Sequence, residues 1–274
     1  MTKAGLKARL NADIVLRLLS AALLIPIALY VTWHGGWWLA VTTTVFAGLM
    51  AFEWARLTGE RVSYVMIPFA IAANLCLIPY APIVSGLILG TGALLVFIAM
   101  PGTFRERLAG GFGCLYAGGL PLAFLMIREG AWDGRNVALI IMAIVWVSDS
   151  AAYFAGKGFG GPLLSPKASP NKTWSGALGA IICSGLAGMI AARLMNADDM
   201  LWLAMGVTVS ILTQTGDMFE SIVKRRYGVK DVSGFLPGHG GVMDRLDGFG
   251  TVCVVLLLAF LLLPDMVAGL GFAA

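Results

Sequence analysis

The chain has 274 residues, 59% of them hydrophobic and 12% charged, and a formal net charge of +4 at neutral pH. An ordinary soluble domain is about a quarter charged, so this composition excludes a soluble globular protein and makes the lipid bilayer the working solvent. The small positive balance is a matter of membrane topology and attraction to anionic lipid head groups, and it excludes a nucleic-acid footprint.

The apolar residues come in long blocks with few charges, the pattern of transmembrane helices. Spans are predicted over 14–33, 37–55, 64–80, 82–100, 112–128, 136–155, 175–193, 200–217 and 250–270. Each must be helical, because hydrocarbon offers no partner to an unsatisfied backbone group. Lys3, Lys7, Arg9 and Arg17 at the first block suggest a signal peptide, but its long apolar run and the lack of a small-residue cleavage site favour a retained helix. With a cytoplasmic N-terminus, only Arg128, Arg135 and Arg193 of the 19 Lys and Arg residues fall outside. That is the positive-inside distribution, and an eight-span path destroys it. The expected fold is therefore all-α, a polytopic integral membrane helix bundle of about nine transmembrane helices. Its N-terminus is cytoplasmic, and the setting is a bacterial inner membrane. Cys76, Cys114, Cys183 and Cys253 lie in predicted spans without C-x-x-C spacing and read as small buried apolar groups.

Polar residues divide the chain in two. Residues 1–135 have short loops, with Pro26, Pro68, Pro79, Pro82 and Pro101 marking kinks or ends, and read as scaffold helices. Residues 136–274 carry two long polar loops, 156–174 and 218–249, on the same cytoplasmic face, and read as the catalytic region. Asp149 closes the sixth span, where an ionised side chain costs at least ~2.5–3.5 kcal/mol and normally has a partner or a task. Tyr153 and Gly156 follow on its helical face. The next loop carries Lys157, Lys167 and Lys172 beside Thr173, where a helix start would add an anion-binding N-terminus.

At the end of the eighth span, Asp217, Glu220, Ser221 and Lys224 fall at i, i+3, i+4 and i+7, one stripe leaving the membrane. Then Gly234, Gly238, Gly240 and Gly241 flank Pro237 and His239, a composition that lets backbone approach phosphate closely. Asp244 and Asp247 follow one turn apart, interleaved with Lys224, Arg225, Lys230 and Arg245. Carboxylates without a second His or nearby Cys suggest a hard cation rather than zinc. Magnesium takes one or two carboxylates together with substrate phosphates, and the basic side chains would hold the remaining phosphate charge. The competing interpretation is mutual ion pairing in a solvated juxtamembrane loop.

The run from Ser221 to Asp247 resembles the signature of the phosphatidate cytidylyltransferase, or CDP-diacylglycerol synthase, family. Its fixed positions include Ser221, Lys224, Arg225, Lys230, Asp231, Ser233, Pro237, His239, Gly240, Gly241, Asp244, Arg245 and Asp247, with no mismatch across 221–247. Asp149, Tyr153 and the segment Ser169–Trp174 extend the resemblance. One position departs, since Ser175 stands where many members carry Glu. The resemblance implies a polytopic, usually dimeric membrane enzyme that joins CTP and phosphatidic acid to give CDP-diacylglycerol and pyrophosphate, with magnesium.

On this basis Asp217 and Asp244 are the first candidates for metal ligands, followed by Asp247 and Asp149, with a second cation left open. Lys224, Lys230, Arg225 and Arg245 are assigned to phosphates, and Lys172 to that of the lipid. His239, Ser221, Tyr153, Gly240 and Gly241 complete the expected site. A CTP-dependent lipid kinase and an ion-coupled membrane transporter lined by Asp149 and Asp217 are the competing functions.

Overall fold

The computed structural model describes residues 20–80, 82–130, 133–235 and 240–263. Among these residues nine α-helices stand where the nine spans are predicted. They are α1 (Ser20–His34), α2 (Gly36–Thr58), α3 (Met66–Tyr80), α4 (Pro82–Ala99), α5 (Phe104–Glu129), α6 (Gly134–Phe159), α7 (Trp174–Met195), α8 (Asp199–Arg226) and α9 (Met243–Leu262). Six of them, α2, α4, α5, α6, α7 and α9, are long and apolar enough to cross a membrane by length and composition. The chain is a multi-pass helical membrane protein.

Several boundaries differ from expectation; α5, for one, begins at Phe104 rather than at 112. Helix α8 runs on to Arg226 and α9 begins at Met243, so the expected 218–249 loop shortens to 227–242. The carboxylates of Asp244 and Asp247 are therefore held by helix rather than by loop, as Asp217 is. Helix α6 continues to Phe159, and the following connection contains an antiparallel hairpin, β1 (Leu163–Ser165) with β2 (Ser169–Thr173). This small sheet corrects the all-α expectation locally; the Ser- and Pro-rich run has no two-residue alternation to announce it.

Helix ends are closed by specific side chains. Thr103 and Glu106 form a capping box at α5, with Glu106 Oε2 accepting from Thr103 N at 2.6 Å. Asp198 accepts from Leu201 N at 2.7 Å at α8, and Thr173 from Gly176 N at 3.2 Å at α7. Near the C-terminal end of α5, Arg128 donates to the carbonyls of Thr32 and Trp33 at 2.5 and 2.8 Å, completing the last turn of α1.

Two apolar clusters fill the interior. One gathers Leu125, Ile141, Trp202 and Phe260 between α5, α6, α8 and α9. The other gathers Met50, Trp54, Met66 and Val96 of α2, α3 and α4 with Cys114 of α5, and includes Val242 and Met243 at the start of α9. Large exposed apolar side chains such as Leu87, Ile98, Ile182 and Leu194 face outward, as a lipid-facing surface requires.

Helices α7 and α8 touch backbone to backbone. A methyl group added at Gly206 would lie 2.1 Å from the Ser184 carbonyl oxygen, and one at Gly188 2.1 Å from that of Trp202. Small residues drive such contacts where lipid removes the hydrophobic drive. Gly206→Val is therefore expected to force the pair apart at a cost of at least about 1–3 kcal/mol. A thermal-unfolding midpoint in detergent several degrees below that of the unaltered protein checks this, and an unchanged midpoint contradicts it.

Candidate active site

The same kind of contact builds the site. A methyl group at Gly216 on α8 would lie 2.6 Å from the Asp247 carbonyl oxygen, and one at Gly248 on α9 would lie 2.8 Å from that of Thr213. The two helices meet where Gly216 precedes Asp217 and Gly248 follows Asp247, so the glycines set these carboxylates on neighbouring backbones.

Two lysines enter the group. Lys172, on β2 just before the Thr173 cap of α7, places its ammonium 2.5 Å from Asp217 Oδ2. Lys224 sits between Glu220, at 3.6 Å, and Asp244, with which it pairs directly. Asp244 also accepts from Gly241 N through Oδ2 at 3.2 Å. Glu220 and Asp247 are nearly covered, at 2% and 6% exposure, and Asp247 Oδ1 accepts from Gly248 N at 2.7 Å. Buried charges persist only when paired or hydrogen-bonded; Lys224 meets Glu220 through Oε2, whereas Glu220 Oε1 is buried without a hydrogen-bond partner among the described residues, and Asp247 relies on its backbone amide contact with Gly248.

The cluster faces a cavity of about 1220 Å³. Its charged end carries Asp149, Lys172, Asp217, Glu220, Lys230, Asp244, Arg245 and Asp247. Its other wall is apolar and comes from helices of the first half, including Ile25 and Ala28 of α1, Phe46 of α2 and Phe124 of α5, with Trp146 of α6. One continuous space thus joins a cluster of ions to an oily wall.

Most expected residues lie at this cavity, Tyr153 and Gly240 included. Tyr153 is at the exposed edge, accepting from Lys157 Nζ at 3.3 Å. Ser221, Lys224, Arg225 and Gly241 are not among the cavity-lining residues. Arg225 instead donates to the carbonyls of Ala168 and Val229, both at 3.4 Å, and so ties the hairpin connection to the end of α8. The N–H of Gly241 is taken by Asp244 rather than offered to a ligand. His239 lies outside the described residues, as do Leu236, Pro237 and Gly238. Ser175, at the departing position, donates to the Gly160 carbonyl and lies 3.0 Å from Thr173 Oγ1, a local lock on the connection.

Two acids were not assigned a role from the sequence. Glu220 stands on the expected stripe and balances Lys224. Glu53, on α2, is fully buried and accepts from Ser233, Val242 N and Met243 N. The sequence signal for Glu53 is the one that singles out Asp149, an acid inside an apolar span.

The geometry is that of a multi-pass helix bundle, one end of which holds paired carboxylates and lysines beside an apolar-walled cavity. The chain matches the model of the cytidylyltransferase family over residues 15–263, and it belongs to that family. A protein named phosphatidate cytidylyltransferase from Brucella suis biovar 1 is 33% identical over 267 residues, covering 94% of this chain and 97% of the relative. One of the same name from Staphylococcus aureus is 38% identical over 146 residues, 53% of this chain and 55% of its own length.

Proposed function

We propose that the chain transfers the cytidylyl group of CTP to phosphatidic acid, giving CDP-diacylglycerol and pyrophosphate in phospholipid biosynthesis. The observation that carries this is the single cavity with an ionic end and an apolar wall. A soluble triphosphate suits the first and a two-tailed lipid the second. The names of the relatives point the same way.

An oxygen of the phosphatidate phosphate attacks the α-phosphorus of CTP in line. The new P–O bond forms the diphosphate bridge of the product, and the bond to the β-phosphate oxygen breaks, its electrons leaving with pyrophosphate. The nucleophile is already anionic at neutral pH, so no strong base is required. The obstacle is repulsion between two polyanions, about 4 kcal/mol for each unit pair at ~4 Å and an effective dielectric near 20. Lys172 holds the lipid phosphate, while Lys230 and Arg245, on the cavity wall, counter the charge of the triphosphate, and Lys224 behind them holds Asp244 in place. Bound geometry then converts the encounter into a positioned displacement.

Among the described residues, no three His, Cys, Asp or Glu side chains converge closely enough to cage a metal ion. Asp217 and Asp244 each hold a lysine. This donor set fits an ion that takes one or two carboxylates and completes its shell with phosphates, as magnesium does. Asp217 and Asp244 would hold it, with Asp247 and Asp149 nearby. When bound, magnesium supplies neutralisation of the phosphate oxygens. The enzyme is assigned to the inner membrane, as a homodimer, with this end of the bundle toward the cytoplasm and its nucleotide.

The test uses the full chain purified in detergent with phosphatidic acid, Mg²⁺ and CTP labelled on either the α- or the γ-phosphate. Lipid labelled from the α position is expected. Label moving only from the γ position to an alcohol means a lipid kinase, and absence of turnover leaves a transporter; either outcome overturns the proposal.

A further inference from the structure

Helix α9 begins without a cap of its own, since Val242 at its N-cap offers no side-chain acceptor. The acceptor arrives from the other half of the chain. Glu53 Oε1 accepts from Val242 N at 2.9 Å and Oε2 from Met243 N at 2.7 Å, and the Ser233 hydroxyl donates to the same carboxylate. Glu53 has 0% exposure. Its neighbours reinforce the clamp: Phe52 packs on Phe235 at 5.7 Å between ring centroids, and Trp54 Nε1 donates to the Ala109 carbonyl at 3.1 Å. Gly241 is pressed against the carboxylate, where a methyl group would meet Oε1 at 2.8 Å.

The turn held in this way is the turn that carries the site. Asp244 follows Met243 directly, accepts from Gly241 N and pairs with Lys224, and Arg245 lies on the cavity wall. A carboxylate at the positive end of a helix is stabilised by the backbone dipole. It also occupies amides that a phosphate would otherwise take.

We propose that Glu53 is a positioning residue for the cytidylyl transfer: from α2 it fixes the first turn of α9 so that Asp244 and Arg245 face the cavity, and it keeps substrate phosphate off the α9 amides. This rests on the function proposed above. It assigns a site role to a helix that the sequence presents as scaffold.

The test uses the full chain in detergent with Glu53→Gln and the shorter but charged Glu53→Asp. Backbone hydrogen exchange at Val242 and Met243 is followed alongside kcat and KM for CTP. Gln keeps one acceptor but turns an NH₂ toward the Met243 N–H. Exchange there should speed up and kcat should fall, each by about tenfold, the equivalent of roughly one net hydrogen bond, with KM for CTP much less affected. Glu53→Asp should show both changes to a smaller degree, and it serves as the test if Glu53→Gln does not fold. Unchanged kcat in a folded Glu53→Gln protein, or a lowered kcat with exchange at 242 and 243 unaltered, overturns the proposal. If the unaltered protein gives no CDP-lipid, the reaction is wrong; unaltered exchange in Glu53→Gln then rejects the clamp separately, and accelerated exchange supports it.

Discussion

Asp244→Asn is expected to lower kcat by roughly 10²–10³-fold, the scale associated with losing one preorganised electrostatic group, while leaving a folded membrane protein. Asparagine keeps the volume and can still accept from Gly241 N, so the turn at the start of α9 survives. What disappears is the negative charge beside Lys224 at the cavity. Removing one partner of a buried ion pair typically costs about 3–5 kcal/mol. Here Glu220 remains 3.6 Å from the ammonium, so the cation is not stranded. Lys224→Met should behave differently: it leaves Glu220 and Asp244 without their shared cation, and both stability and turnover should fall. Steady-state kinetics with a thermal-unfolding midpoint for each variant separate the two patterns. Turnover of Asp244→Asn within about threefold of the unaltered protein would remove this carboxylate from the reaction.

Lys172→Met is the second large effect. A full unit charge at ~4 Å and dielectric near 20 is worth about 4 kcal/mol. However, the side chains of Lys172 and Asp217 are 25% and 45% exposed, and solvent screens them. A loss of roughly 10–10²-fold in kcat/KM for phosphatidic acid is expected, mostly in KM. Lys172→Arg should recover part of it by restoring charge without the same geometry. Measurements at varied mole fraction of phosphatidic acid in the micelle check the expectation. An unchanged KM for the lipid would move its phosphate elsewhere.

Helix positions were legible because a bilayer imposes one demand everywhere, and each apolar block from 14–33 to 250–270 contains a helix in the described residues. The starts of helices were less legible when their first turns were polar. Met243–Phe249 reads as loop beside its glycines, although Asp244 in a first turn is a start signal. The i, i+3, i+4, i+7 stripe correctly joined Glu220 to Lys224. It could not say that Asp217 turns to a lysine from a distant hairpin, because periodicity carries no information across elements. Arg225 shows the same limit, since its charge suggested phosphate and its partners are two carbonyls. Glu53 carries the signal of an acid inside an apolar span, but its partners were hidden: the Ser233 hydroxyl and the Val242 and Met243 amides lie 180 or more residues away, and spacing along the chain holds no trace of contacts so distant.

The unbroken passage of the cavity from charged residues to the oily wall of α1, α2 and α6 sets the terms on which any assay is read. Under the proposed function the lipid's acyl tails lie along this wall, and a detergent tail that enters it acts as a competitor as well as a solvent. Rates should follow the surface fraction of the lipid rather than its bulk concentration, and diluting the micelle at fixed total lipid should mimic inhibition.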